Sequence, residues 1–112
     1  MATTTHSKAR GSAAGPDPTP DTTAPDNATR LELYRLQVEL RSFEKRAYDL
    51  FLQNLVKGTS HLSLGQEAIA AAFGVAMRSD DYTFATYRGH AHTLARGVPM
   101  APVMAELLGS DQ

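Results

Sequence analysis

Between Met1 and Leu31 the chain carries no Val, Ile, Leu, Met, Phe or Tyr, and beyond that point apolar residues recur with helical spacing. Leu33, Leu36, Leu40, Phe43, Ala47, Phe51 and Leu55 follow one another at intervals of three and four, which predicts one long amphipathic helix. Thr29 and Glu32 have the spacing of a capping box at its start, and Lys57-Gly58 supplies a stop. Arg41, Glu44, Lys45 and Asp49 fall mainly off the stripe. They read as a solvated face, or one resting on a partner subunit, with helical pairs such as Lys45–Asp49.

After the loop Thr59-Ser60-His61-Leu62, Ser63 and Gln66 form a second candidate capping box. The helix predicted from about Gly65 to Met77 is Ala-rich and apolar almost all round. Such small side chains let neighbouring backbones approach closely, and an all-round apolar helix belongs inside a larger structure. Ser79-Asp80-Asp81 ends it. Tyr82-Thr83-Phe84-Ala85-Thr86 has the aromatic and β-branched content of a short strand. A brief helix from His92 to Arg96 closes at Gly97. A last one from Met100 to Leu108 tolerates Pro102 in its first turn and stops at Gly109.

The initial stretch, residues 1–28, with Pro16, Pro18, Pro20 and Pro25 among Thr, Ala, Asp and Gly, cannot bury enough apolar area to offset its ordering entropy. It is expected to be a disordered tail, either inert or a docking arm. Residues 29–112 form one domain at most. A single strand with no partner in the sequence, mixed with four helices, predicts a truncated, mostly helical piece of an α/β protein.

The net charge of −1 gives no general attraction to nucleic acid or to an anionic membrane, so any anion site must be local. With no cysteine, a disulfide framework, a thiolate nucleophile and a zinc–thiolate site are excluded. No apolar run approaches a membrane span and no signal-peptide core is present. A cytoplasmic protein is the expectation.

The run Thr86-Tyr87-Arg88-Gly89-His90-Ala91-His92 gathers a phenol, a guanidinium and two imidazoles at a predicted strand-to-helix turn. Free backbone N–H groups at a helix start and a planar guanidinium both suit phosphate oxygens. The same turn read alone also fits a surface arginine paired with a carboxylate. His61 is either a loop histidine satisfied by backbone or a functional imidazole. A His61–His90–His92 metal site lacks a carboxylate at a supporting spacing, so no metal ligands are assigned. Glu67, in the first turn of a helix, fits the dipole there.

Five ordered motifs now carry a resemblance: Leu40-Arg41-Ser42-Phe43-Glu44, Gly58 through Ala68, Asp80-Asp81-Tyr82, Thr86-Tyr87-Arg88-Gly89-His90, and Met104 through Gly109. Over about residues 31 to 110 the chain resembles the start of the alpha subunit of thiamine-diphosphate-dependent 2-oxo acid dehydrogenases, the group of pyruvate, branched-chain 2-oxo acid and acetoin dehydrogenases. The resemblance implies an α/β thiamine-diphosphate-binding fold in an alpha–beta heterotetramer. It implies a dehydrogenase beta subunit and a lipoyl-bearing acyltransferase component as partners. The substrate it implies is a 2-oxo acid or acetoin. It implies that Tyr87 and Arg88 bind the cofactor diphosphate, with His90 in a supporting role, and that His61 is catalytic. The magnesium ligands of such enzymes lie in a Gly-Asp-Gly and downstream Asn segment that this sequence lacks, and the glutamate that activates the aminopyrimidine belongs to the beta subunit. The chain alone is therefore expected to be inactive. The alternative is a non-catalytic helical remnant that acts as a subunit-interaction module.

Overall fold

The structure, a computed structural model, describes residues 23–58 and 60–110. Four helices follow in order: α1 Asn27–Leu52, α2 Glu67–Ala76, α3 Gly89–Ala95 and α4 Met100–Leu108. Most of the expected tail, residues 1–22, lies outside the described residues.

Helix α1 starts three residues earlier than the Thr29 capping box predicts. Asp26 is the cap, its Oδ1 accepting from the Thr29 N–H at 2.8 Å, the usual role of an aspartate at a helix entrance. Glu32 instead holds Arg35 at 2.7 Å. The stop is also corrected. Asn54 takes a left-handed conformation (φ 59°), with its N–H bonded to Phe51 O at 2.9 Å and the Leu55 N–H bonded to Leu50 O at 3.0 Å. That is a Schellman closure with asparagine where glycine is commoner, so Lys57-Gly58 falls beyond the helix.

The predicted stripe becomes the core along most of its length. Leu36, Leu40 and Phe43 of α1 meet Ala70 and Ala71 of α2, Ala91 and Leu94 of α3 and Val103 of α4, with Leu33 packed at the margin. Phe51 and Leu55, at the end of the stripe, are largely exposed. Glu44 is the departure: it is fully buried rather than solvated. Arg41 reaches out of α1 to Glu67 of α2, with Nε–Oε1 2.5 Å and Nη2–Oε2 2.8 Å, in place of a pairing confined to its own helix.

Helix α2 lies against α3 by way of its small residues. A Cβ built on Gly74 would stand 2.6 Å from the Ala95 carbonyl oxygen and 2.9 Å from the Ala95 Cβ, so only glycine permits this approach. At the chain's last helix, Gly109 (φ 66°) closes α4, with the Ser110 N–H bonded to Ala105 O at 2.9 Å, as the sequence predicts.

The strand expected at Tyr82–Thr86 does not form. Residues 81–85 are without regular structure and 86–88 form a bend. A strand is stabilised by its ladder, and no neighbouring strand exists among the described residues to supply one. Tyr82 and Phe84 are 88% and 95% exposed as a consequence. The segment is anchored at its start, where Arg96 Nη2 donates to Arg78 O and Asp81 O, both at 2.9 Å. Among the described residues no helix is long and apolar enough to cross a membrane.

Candidate functional site

Two loops meet beside the core. One leaves α1 and runs through Ser60, His61, Leu62 and Ser63; the other carries Thr86, Tyr87 and Arg88 into α3. They are tied crosswise: Arg88 Nε donates to Leu62 O at 3.2 Å and Ser63 Oγ donates to Arg88 O at 3.3 Å. Ser63 is therefore a loop clamp and not the predicted capping residue, and Gln66 at the start of α2 makes no side-chain cap. Arg88 adopts a left-handed conformation (φ 59°, ψ 31°), which costs a non-glycine residue roughly 1–2 kcal/mol. The two cross-ties hold it there. Its backbone turn lets α3 begin at Gly89, three residues before the predicted start at His92.

All four residues singled out by the resemblance line one cleft of about 760 Å³: His61, Tyr87, Arg88 and His90. The Arg88 guanidinium lies 5.2 Å from the centre of the Tyr87 ring, a cation–π distance. The His61 ring stands 5.1 Å from that same ring, tilted by 51°. Tyr87 is 64% exposed, so its hydroxyl is open to solvent. With Nε engaged by Leu62, the terminal nitrogens of Arg88 have no protein partner among the described residues. A ring face, a half-free guanidinium and an accessible phenol thus converge from a turn that two hydrogen bonds make rigid. Such a set suits the planar, multiply charged face of a phosphate.

His90 differs from the other three. Its side chain is 18% exposed, and Nδ1 points inward to Glu44 Oε1 at 3.8 Å, an ion-pair distance too long for a hydrogen bond. Glu44, at the far side of this contact, raises the imidazole above its ordinary 6.5, burial opposes that, and Glu106 of α4 adds to the rise. Glu44 is the residue that sequence reasoning misplaced. Its spacing offered the clue, since it stands four residues after Leu40 and three before Ala47 and so falls within the buried arc.

Glu67 is a structural acid. Arg41 first, then the Gly65 N–H and its own backbone, hold its carboxyl down to about 2 against desolvation. It is not among the residues that line the cleft. Among the described residues no group of three or more His, Asp or Glu is gathered to hold a metal ion.

The family model described as the dehydrogenase E1 component matches residues 34–112. The chain belongs to the dehydrogenase E1 component family. All five motifs that carried the resemblance fall inside the matched span. This E1 chain is similar to the alpha subunit of acetoin:2,6-dichlorophenolindophenol oxidoreductase of Bacillus subtilis (strain 168), at 35% identity over 79 residues, which is 70% of this chain and 24% of that protein. It is similar to the alpha subunit of the pyruvate dehydrogenase E1 component of Rhizobium meliloti (strain 1021), at 38% identity, covering 70% of this chain and 23% of the relative. The corresponding Zymomonas mobilis subunit (strain ATCC 31821 / ZM4 / CP4) is 40% identical over 85 residues, 75% of this chain and 24% of the relative. The E1 chain thus spans about a quarter of the length of the curated relatives it matches. No solved structure matches it.

Proposed function

We propose that this E1 chain is the part of an alpha subunit that grips the diphosphate of thiamine diphosphate. The assembled enzyme would oxidatively decarboxylate a 2-oxo acid, or cleave acetoin, and pass the acyl group to a lipoyl-bearing acyltransferase component. The observation that carries the reading is the convergence of Tyr87, Arg88, His61 and His90 on one cleft in a chain of this family. The residues fit the group: Arg88 offers terminal N–H donors without protein partners among the described residues, and Tyr87, largely exposed, offers its hydroxyl beside them.

When bound, thiamine diphosphate supplies the electron sink for cleavage next to a carbonyl. The chain's own contribution is placement. Arg88 and Tyr87 fix the anionic end on a rigid turn, which converts a freely tumbling group into an oriented one. His61, whose ring rests against Tyr87, hydrogen-bonds or carries a proton for the reacting group. Imidazole suits that task because its two ring nitrogens can both donate and accept a proton. The magnesium ligands and the acid that activates the aminopyrimidine belong to other segments and to the beta subunit.

Titration of the assembled E1 component with thiamine diphosphate tests this reading. Arg88→Ala should raise Kd at least about tenfold, because a charge-assisted hydrogen bond contributes about 1.5–3 kcal/mol, with the melting temperature lowered only modestly by the lost Nε–Leu62 O tie. A second reading, a subunit-interaction module without turnover, is favoured by the exposed Ile69, Phe73 and Phe84, since adjacent apolar side chains on a surface mark contact with other chain segments or subunits. It predicts that Arg88→Ala leaves the cofactor titration unchanged.

A further inference from the structure

Glu44 is fully buried in α1, and neither carboxylate oxygen has a hydrogen-bond partner among the described residues. A carboxylate so enclosed is strongly disfavoured unless a cation or donor faces it. The group that faces it is the Nδ1 of His90 at 3.8 Å, itself buried and without a hydrogen-bond partner. Two unsatisfied atoms of opposite potential charge are thus sealed against each other. The remaining edge of the His90 ring lines the cleft that Tyr87 and Arg88 share.

The other ionisable groups around His90 do not replace Glu44 in this role. Glu106 faces it from α4 across the open cleft and is exposed to solvent. The one ionisable side chain of α2, Glu67, is engaged with Arg41. Lys57, His61, Arg88 and His92 line the same cleft and carry either positive charge or none. Among the described residues, only Glu44 lies behind the ring, where water cannot screen it.

Resting on the diphosphate reading of the cleft, we propose that Glu44 is a positioning residue of the anion site. It holds His90 as an imidazolium with Nδ1 turned inward and Nε2 turned to the cleft, so that His90 adds a cationic donor beside Arg88. Both halves of the pair gain from this arrangement. The carboxylate acquires its counter-charge, and the imidazole has one nitrogen fixed so that the other is aimed. A neutral histidine could offer the same nitrogen as an acceptor, which would repel a diphosphate oxygen. The buried acid decides between those states.

The test is calorimetric titration of the assembled E1 component with thiamine diphosphate over a range of pH, using Glu44→Gln and Glu44→Asp. Glu44→Gln keeps the shape and removes the charge. Its Kd should be weaker than wild type by about tenfold at about pH 7.5, where an imidazole with no counter-charge is only about one-tenth protonated. The two curves should converge near about pH 5.5, where an imidazole protonates unaided. Glu44→Asp should retain most of the affinity at both values. If thermal melting shows that the Gln variant does not fold, His90→Gln carries the test and should show the weakened, pH-independent binding. A folded Gln variant that follows the wild-type pH profile, in an assay where Arg88→Ala weakens binding, overturns the proposal alone. If Arg88→Ala is also without effect, the diphosphate reading falls and takes this inference with it.

Discussion

Arg41 and Glu67, 26 residues apart, join α1 to α2 through a paired contact of 2.5 and 2.8 Å. The same carboxylate accepts from the Gly65 N–H at 3.0 Å. One acid therefore fixes the angle between the two helices and the loop that precedes the second. That loop is the one Arg88 and Ser63 tie to the candidate site, so the pair sets the site's foundation without entering it.

Glu67→Gln should destabilise the fold by about 1–2 kcal/mol at neutral pH, the low end of the loss for a hydrogen bond to a charged group, because Glu67 is buried but its partner Arg41 is half exposed to solvent. The pH dependence has a definite sign. Glu67 is held down from 4.5 to about 2, so its contribution is fully present above 4.5 and is lost as pH falls toward 2. Urea unfolding at neutral and acid pH checks this: the gap between wild type and the variant should narrow on acidification.

Leu40→Ala should cost about 2–4 kcal/mol, as expected for a leucine removed from a packed interior. Leu40 is 1% exposed at the centre of the four-helix cluster. The midpoint of denaturant unfolding reads this directly. A loss below about 1 kcal/mol would mean that the cluster is not the core.

Gly74→Ala separates two effects of opposite sign. On an exposed helix the change stabilises by up to about 1 kcal/mol. Here the new Cβ would meet Ala95 O at 2.6 Å, and overpacking of this kind costs about 1–3 kcal/mol. A lowered melting temperature is expected, and an increase would show that α2 and α3 do not approach so closely.

Tyr87→Phe should keep the ring contacts to His61 and Arg88 and lose only the hydroxyl. Thiamine diphosphate affinity of the assembled E1 component should fall by about 3- to 10-fold, the worth of one hydrogen bond, with the melting temperature unchanged. An unaltered Kd would remove the hydroxyl from the site and leave the ring as a packing surface.

Helical periodicity carried most of the fold. The stripe from Leu33 to Ala47 is written in the sequence because burial on a helix demands residues three and four apart, and α4 carries Pro102 in its first turn and ends at Gly109. The details of termini were less legible. Thr29, Ser63 and Lys57-Gly58 each satisfy a local rule, yet Asp26 and Asn54 took the terminal roles and Ser63 took a loop tie. Capping motifs compete over a few residues for similar free energies, so tertiary contacts choose among them.

The sequence by itself determined the helices of the core, because burial on a helix is a matter of residue type at a fixed local spacing, and it carried the motifs whose resemblance pointed to the family and named the four residues of the candidate site. The tertiary structure alone decided what those residues face. It left Tyr82–Thr86 without a strand, since a ladder needs a neighbour that periodicity cannot supply. It also drew Glu44 inside against His90, since the charge of a side chain gives its cost of burial but not the partner that offsets it.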